Sequence, residues 1–194
     1  RPLAQWPARE RARRLAYVPQ AAPPGFAYSV EDLVLMGRSA HRNLFAPPTA
    51  ADRAAVAAAI ERLNLQPLAR RPATMISGGE RQLALVARAL AQEARVVVLD
   101  EPTASLDFGN QGRVLAEIRR LAYAGLAVLF STHDPNHALR IADRALLLRD
   151  GRPLALGPVA QVLDAGRLQA LYGVPVESVA AAAGPAAFLP SLRC

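Results

Sequence analysis

A short run of β-branched and aliphatic residues, Val96-Val97-Val98-Leu99, is followed at once by two carboxylates, Asp100 and Glu101. Such a run is typical of a strand buried on both faces, as in a parallel sheet covered by helices. In open α/β sheets, ligands bind beyond the carboxyl ends of the strands, where these two acids lie. Because unpaired acids beside an apolar strand are costly, we expect a cation to meet them. A metal on Asp100 and a water-activating base at Glu101 account for the pair.

A second pattern lies upstream of this strand and consists of small residues followed by a helical periodicity. Two glycines follow Ser77 in the stretch 76–82, and apolar residues then recur at helical spacing from Leu83 to Leu90. Backbone N–H groups at the start of a helix lack partners, and the helix dipole adds positive charge there. The pattern therefore predicts a phosphate at this terminus. The alternative interpretation is a serine N-cap with glycines in a turn.

Together with three shorter stretches, these two patterns resemble the ATP-binding-cassette (ABC) ATPases over most of the chain. The stretch 76–82 resembles the signature motif of that family, with Ile76 and Glu80 in place of the usual Leu and Gln. The resemblance implies an α/β fold with a P-loop NTPase-like (RecA-like) parallel sheet core and an inserted α-helical subdomain. Residues 96–101 resemble the Walker B strand with its catalytic glutamate, and Tyr17-Val18-Pro19-Gln20 resembles the Q-loop. Ser105-Leu106-Asp107 resembles the D-loop. His133, which follows the apolar run 126–130, resembles the switch histidine.

The resemblance implies that the chain binds and hydrolyses ATP with Mg²⁺ as its metal. Asp100 would hold the Mg²⁺, and the amide of Gln20 would touch both the metal and the attacking water. Glu101 would polarise that water, and His133 would contact the γ-phosphate. These four residues form the predicted catalytic and metal-binding set.

The resemblance also implies a second copy of the ATPase subunit. The signature residues would cap ATP held by the other subunit, and the D-loop aspartate would cross the same interface. The expected assembly is a head-to-tail homodimer with two composite sites, closed by ATP and released by hydrolysis. The residues predicted to serve the partner's nucleotide are Ser77, Gly78, Gly79, Glu80, Gln82 and Asp107.

The helical stretch 29–92 matches the subdomain on which the membrane subunits of ABC transporters dock. Within it, residues 31–38 followed by His41 resemble importer cassettes for iron-siderophore, haem, cobalamin and related metal-chelate or oxyanion ligands. This subgroup implies transmembrane permease subunits, indirectly a substrate-binding protein, and a peripheral location on the cytoplasmic face of the inner membrane. For His41, an exposed loop histidine is preferred over a metal ligand because no second ligand lies nearby. The alternatives for the whole chain are a non-transport ABC ATPase and a non-catalytic module that uses only its signature face.

All 23 basic residues of the 194-residue chain are arginines, so the sequence contains no lysine. The phosphate-binding P-loop, Gly-x-x-x-x-Gly-Lys-[Ser/Thr], therefore cannot be present, although ATP hydrolysis in this family uses its lysine. We interpret the sequence as an N-terminally truncated cassette without Walker A, which agrees with a start on Arg, and expect it to be inactive alone. A protein that naturally lacks the P-loop is the alternative.

The net charge of +7 is interpreted as a compositional bias and a solvated surface. The basic cluster formed by Arg9, Arg11, Arg13 and Arg14 has no interleaved aromatic residues, so no nucleic acid is expected as a partner. A single cysteine, Cys194, excludes a disulfide framework and fits a reducing compartment. No run of about 18 apolar residues is present to span a membrane.

Sequence periodicity and turn residues also predict the order of elements. Ser29 and Thr49 are predicted helix N-caps, Gly37 a helix end, and the tail from Val174 a frayed or loosely packed segment. The predicted divisions are 1–28 (end of the N-terminal core part with the Q-loop), 29–92 (helical subdomain), 93–157 (RecA-like core) and 158–194 (C-terminal helices and tail). Predicted helices cover 8–14, 30–36, 52–64, 110–123, 136–142, 158–164 and 166–172, and predicted strands cover 15–18, 96–99, 126–130, 144–149 and 153–156, with a loop at 21–25 and a hairpin turn at 150–151.

Overall fold

The computed structural model describes residues 2–20, 27–43, 46–104, 106–180 and 187–191. Contacts within the chain divide it into two compact units, residues 1–131 and 132–194. The domain boundaries predicted at 28, 92 and 157 stay predictions. The predicted loop at 21–25 and Ser105 of the D-loop stretch lie outside the described residues.

The first unit is built on three parallel strands. Strand β1 (Leu15–Val18), strand β2 (Val96–Leu99) and strand β3 (Ala127–Phe130) lie in the order β1-β2-β3, with β2 in the centre. The last residues of the three strands pair in register, Val18 with Leu99 and Leu99 with Phe130. The described residues that directly follow each strand therefore leave the sheet along one edge. This arrangement confirms the predicted parallel α/β class and places the two acids at the carboxyl edge.

Among the described residues of the first unit, five α-helices accompany this sheet, and two of them begin at the N-caps that the sequence predicts. Ser29 and Thr49 each cap a helix through a reciprocal capping box with Asp32 and Asp52, so both predicted N-caps are confirmed. Four of these helices have predicted bounds, 8–14, 30–36, 52–64 and 110–123, and each begins and ends within two residues of them. The five helices are α1 (Ala8–Ala12), α2 (Val30–Leu35), α3 (Ala50–Arg62), α4 (Gly78–Ala91) and α5 (Phe108–Tyr123), with a 3₁₀ turn at Met36–Ala40 after α2.

The prediction that Gly37 ends a helix is wrong. Helix α2 passes directly into the 3₁₀ turn, and Gly37 lies buried inside that turn. A Cβ atom at Gly37 would overlap the backbone carbonyl oxygen of Arg88 on α4. Glycine is therefore needed here for close packing between two backbones rather than for a left-handed cap.

Arg38, beside this glycine, is a buried cation that ties three helices together. Its Nε lies 3.0 Å from Oδ1 of Asp52 on α3, and its Nη1 lies 2.6 Å from Oε2 of Glu93. The same Nη1 donates to the carbonyl of Ala91 at the end of α4 at 2.8 Å. Hydrogen bonds from Thr49, and then from Arg38, hold the pKa of Asp52 well below its ordinary value. The stretch 31–38 thus builds the joint between α2, α3 and α4.

His41 and the basic cluster of α1 contribute to the same joint. The Nε2 atom of His41 lies 2.9 Å from the carbonyl oxygen of Gln92, and the ring is half-buried. The interpretation of His41 as an exposed loop histidine is therefore wrong, because it packs against the end of α4. Arg9 and Arg13 both donate through Nε to the carbonyl of Ala40, each at 3.1 Å. Two arginines of the cluster thus close the 3₁₀ turn.

The second unit is organised around a β-hairpin. Strands β4 (Arg144–Arg149) and β5 (Arg152–Pro158) pair antiparallel through the predicted turn, where Asp150 and Gly151 have φ of 52° and 72°. Two positive φ values are the geometry that a type I′ hairpin turn requires. Helices α6 (Pro135–Ile141), α7 (Val159–Val162) and α8 (Ala165–Tyr172) complete the unit. Its core contains Leu147, Val159, Val162, Leu163, Leu168 and Phe188.

For the described residues 174–180 and 187–191, the prediction of a frayed or loosely packed tail is wrong. Strands β6 (Val176–Val179) and β7 (Ala187–Pro190) pair antiparallel, and Phe188 lies buried in the core of the second unit. The side-chain amide of Asn136 accepts from the Phe188 N–H at 2.8 Å and donates to the Phe188 carbonyl at 3.0 Å. A buried aromatic ring and a paired backbone therefore hold the described part of this tail in place. Within the described part of the chain, no helix is long and apolar enough to cross a bilayer.

We expect Gly37→Ala to destabilise the protein and Gly112→Ala to stabilise it. The first substitution forces a methyl group into the Arg88 carbonyl, and overpacking of this kind costs about 1–3 kcal/mol. The second adds a methyl group in open space on α5, where replacing glycine gains about 0.4–1 kcal/mol. Urea unfolding followed by circular dichroism compares the two variants with the wild type. Equal stabilities for the two variants would contradict the packing role of Gly37.

Candidate functional site

Asp100 is held from both sides at the carboxyl edge of the sheet. Its Oδ2 accepts a hydrogen bond from the Tyr17 hydroxyl of β1 at 3.1 Å. Its Oδ1 accepts a hydrogen bond from the hydroxyl of Ser131, just after β3, at 2.8 Å. The hydrogen bond to Asp100 raises the pKa of Tyr17. The carboxylate on the central strand is therefore fixed by one contact from each neighbouring strand.

Glu101 adopts an unusual backbone and lies next to Gln20. Its φ is 39°, in the left-handed region that few residues other than glycine occupy. Its N–H donates to Oγ of Ser131 at 2.8 Å, and its Oε2 accepts from Nε2 of Gln20 at 3.4 Å. The structure thus brings Gln20, Asp100 and Glu101 together, as the sequence predicts.

Tyr17 contacts Asp100 and Ser131 contacts both acids, although the sequence motifs predict a separate role for neither residue. Ser131 is the first residue after β3, so the order of parallel strands places it level with Asp100. The position of Ser131 directly after an apolar run therefore predicts this contact, provided that β3 lies next to β2. Tyr17 lies inside the Q-loop stretch. The alternation of side chains along β1 predicts which face of the sheet Tyr17 occupies, but not which side chain of the neighbouring strand it contacts.

The signature stretch forms a capped helix start. The Ser77 hydroxyl accepts from the Glu80 N–H at 3.2 Å, and the Glu80 carboxylate accepts from the Ser77 N–H at 2.8 Å. This capping box realises the N-cap alternative. The hydrogen bond from the Ser77 backbone lowers the pKa of Glu80. Since the box satisfies two of the donors at this terminus, an anion bound here would meet the amides of Gly78 and Gly79.

The signature stretch and the D-loop stretch lie against each other. A Cβ atom at Gly79 would overlap the side chain of Asn110, so glycine permits this close approach. Asp107 caps α5, accepting from the Asn110 backbone N–H at 2.9 Å and from its Nδ2 at 2.6 Å. These hydrogen bonds lower the pKa of Asp107. Ser77, Gly78 and Asp107 are exposed on the same part of the first unit.

Gln82 and His133 occupy different surroundings from the other predicted site residues. Gln82 lies on α4 with only 2% of its surface exposed, and its Nε2 has no hydrogen-bond partner among the described residues. His133 belongs to the second unit, where its carbonyl accepts from the Tyr172 hydroxyl at 2.8 Å. The nucleotide contacts of both residues stay predictions.

The side chains at the sheet edge fit a magnesium ion by their chemistry. Asp100 and Glu101 offer carboxylate oxygens, and the amide nitrogen of Gln20 faces Glu101, so its amide oxygen is the atom that could ligate a cation. No group of three or more His, Cys, Asp or Glu side chains in the described residues is arranged to hold a metal ion. Mg²⁺ commonly takes only one or two protein carboxylates and completes its shell with water and phosphate oxygens. This edge suits a metal that arrives with a phosphate.

We expect Glu80→Gln to reduce the stability of the fold at neutral pH but not in acid. The folded-state pKa of Glu80 is lowered, so its charged form stabilises the fold above the ordinary glutamate value of about 4.3. This contribution is lost as the pH falls through the lower folded-state value. Urea unfolding at pH 7 and near pH 3 measures it, with Glu61→Gln, at an exposed site on α3, as the control. An equal loss of stability at both pH values would contradict a role for the charge.

Comparison with known proteins gives consistent matches. A family model described as ABC transporter matches residues 1–104. The chain is 44% identical to the molybdate import ATP-binding protein MolC of Haemophilus influenzae, over 84% of this chain and 64% of that protein. It is 44% identical to the hemin import ATP-binding protein HmuV of Streptomyces coelicolor, over 91% of this chain and 62% of that protein. The chain thus spans slightly less than two thirds of the length of these two relatives.

Solved structures agree with these sequence matches. An ABC transporter assigned to the metal-chelate type, in an inward-facing conformation, shares 40% identity and a TM-score of 0.87 over 93% of this chain and 73% of that chain. An ATP-binding cassette in its ADP conformation shares the fold, with 22% identity and a TM-score of 0.73 over 84% of this chain and 70% of that chain. By its family model and its relatives, the chain belongs to the ABC transporter family.

Proposed function

We propose that this chain is the ATP-binding and ATP-hydrolysing part of an ABC importer. The observation that carries the proposal is the meeting of Gln20, Asp100 and Glu101 at the carboxyl edge of one parallel sheet. Family membership supports a nucleotide at this edge, and the oxygen-rich set of side chains supports Mg²⁺.

The residues at this edge have separate roles in the proposed reaction. Asp100 holds the Mg²⁺ of bound ATP, directly or through water, and Gln20 offers its amide oxygen to the same ion. Glu101 accepts a hydrogen bond from the attacking water and polarises it as a general base. His133 would contact the γ-phosphate, a role that rests on the resemblance of its stretch to the switch histidine. When bound, Mg²⁺ neutralises charge that develops on the phosphate oxygens.

The proposal includes a second copy of the chain. The amides of Gly78 and Gly79 at the start of α4, with the Ser77 hydroxyl, meet the γ-phosphate held by the other subunit. Glu80 and Gln82 shape that helix start, and Asp107 crosses the same interface. Exposure of Ser77, Gly78 and Asp107 next to one another supports this head-to-tail homodimer, in which each site is completed by both copies.

The proposed cargo is a metal chelate or a related ligand, such as an iron-siderophore, haem, cobalamin or an oxyanion. Support comes from relatives named for hemin and molybdate import and from the metal-chelate type of the similar solved transporter. The subunit would act at the cytoplasmic face of the inner membrane, bound to transmembrane permease subunits through its helical part. A substrate-binding protein would deliver the cargo to the permease.

We also propose that hydrolysis needs a phosphate-binding loop supplied from outside these residues. The 194 residues contain no lysine, whereas P-loop ATPases bring a lysine to the β- and γ-phosphates. The 194-residue chain would therefore hold the acids, the signature and the switch histidine, but not the loop that binds the triphosphate. On this account it is inactive alone.

We expect Glu101→Gln, in a version of the protein extended upstream in its reading frame, to lower ATP turnover by about 10²–10⁴-fold. Glutamine keeps the size of the side chain and its hydrogen bond with Gln20 but cannot act as a base. ATP affinity should stay unchanged, because the nucleotide is held by other groups. Phosphate release measures turnover, and equilibrium binding of a fluorescent ATP analogue measures affinity.

The matched control is Glu61→Gln, which removes one exposed carboxylate far along the chain from the site. It should leave both turnover and affinity at the wild-type level. Unchanged turnover in Glu101→Gln would contradict the proposed role of Glu101. A loss of ATP affinity equal to the loss of turnover would place Glu101 in binding rather than in catalysis.

A further inference from the structure

We propose that Ser131 is a positioning residue that sets the geometry of both acids at once. This inference rests on the proposed function, because it concerns how Asp100 and Glu101 are presented to metal and water. The Ser131 hydroxyl oxygen lies 2.8 Å from Oδ1 of Asp100 and 2.8 Å from the backbone nitrogen of Glu101. One side chain therefore touches the side chain of the first acid and the main chain of the second.

The chemistry of the groups fixes the direction of these two hydrogen bonds. A backbone N–H can only donate, so Ser131 Oγ accepts the proton of the Glu101 N–H. The single hydroxyl proton of Ser131 is then left for the carboxylate oxygen of Asp100. The two hydrogen bonds thus run in series, from the Glu101 N–H to the Ser131 oxygen and from the Ser131 O–H to Oδ1 of Asp100. Together they hold the Ser131 side chain in one rotamer.

The backbone of Glu101 shows why such a contact is needed. With φ at 39°, this residue occupies a region that is unfavourable for a residue with a side chain. A strained conformation persists only when its surroundings hold it. Ser131 holds the N–H of Glu101, and the N–H of Ala104 donates to its carbonyl at 3.0 Å. These two contacts hold the backbone of Glu101, whose carboxylate accepts a hydrogen bond from Gln20.

Ser131 is well placed because its own backbone belongs to the sheet. Its N–H donates to the carbonyl of Leu99 at 3.0 Å, which continues the ladder between β2 and β3 by one step. The hydroxyl is therefore anchored to the strand that carries the acids. Tyr17 provides the opposite grip on Asp100, but it makes one contact at 3.1 Å from a half-exposed ring. We therefore expect removal of the Tyr17 hydroxyl to disturb the position of Asp100 less than removal of the Ser131 hydroxyl.

Removing the hydroxyl should weaken the use of Mg²⁺ more than the binding of ATP. Loss of a residue that orients a metal ligand typically lowers metal affinity or activity by about 10–100-fold. In the extended protein, Ser131→Ala should raise the half-saturating Mg²⁺ concentration by this factor and lower kcat. Ser131→Thr, which keeps the hydroxyl, should restore both values. Tyr17→Phe should shift the Mg²⁺ requirement in the same direction by a smaller factor.

A second readout does not depend on catalysis. In the 194-residue chain, hydrogen exchange of the Glu101 amide should become faster in Ser131→Ala and stay slow in Ser131→Thr. Ser178→Ala, at an exposed serine on β6, is the control for loss of a hydroxyl group. Should Ser131→Ala fail to fold, Ser131→Cys carries the same expectation, because a thiol makes weaker hydrogen bonds.

The outcomes separate this inference from the proposed function. Faster exchange at Glu101 together with a raised Mg²⁺ requirement, both restored by threonine, supports the positioning role. Unchanged exchange, or a fall in kcat at an unchanged Mg²⁺ requirement, overturns it. If Glu101→Gln hydrolyses ATP as fast as the wild type, the proposed function fails instead. The exchange rate of the Glu101 amide then still decides whether Ser131 holds that backbone.

Discussion

The parallel register of three strands is the constraint on which the candidate site depends. Val18, Leu99 and Phe130 pair across the sheet, so Gln20, Asp100 and Ser131 leave it at one edge. A shift of one residue in either pairing would turn the following side chains to the opposite face. The two acids are adjacent in sequence but have different partners, because β2 ends at Leu99 and both acids lie beyond the strand. Asp100 turns to the neighbouring strands, while the left-handed backbone at Glu101 redirects its carboxylate toward Gln20.

The helices of the first unit depend on a second buried interaction. Arg38 reaches Asp52, Glu93 and the end of α4, and Gly37 lets the backbones approach closely enough for these contacts. A buried cation is retained only where such partners surround it. The stretch 31–38 that resembles importer cassettes therefore has a structural task in this chain. Its residues join α2, α3 and α4 through these contacts.

The sequence was sufficient for features that depend on neighbours along the chain. The run of valines predicts strand β2. The caps at Ser29 and Thr49 are predicted from neighbouring residues, and the acidic residue of each capping box lies three positions after the cap. The confirmed α/β class was implied by the family resemblance, which includes the pattern of this buried strand. The meeting of Gln20 with Glu101 was implied only by the order of motifs and needed the family resemblance.

Features that depend on distant partners could not be predicted in this way. Phe188 is held by Asn136, a residue 52 positions away, whereas the surrounding composition suggests fraying. Gly37 looks like a helix end until the Arg88 carbonyl lies against it. The contacts of Ser131 and Tyr17 with Asp100 depend on the pairing of the strands. Both residues are distant from Asp100 in the sequence, so no local pattern predicts these contacts.

The most direct test is Mg²⁺-dependent ATP hydrolysis, measured side by side for the 194-residue chain and for a version extended upstream in its reading frame. If the acids at the sheet edge act on a triphosphate held by a P-loop lysine, only the extended version should turn over ATP. Hydrolysis by the 194-residue chain at the same rate would contradict this account. The phosphate-binding groups would then have to be found among its arginines.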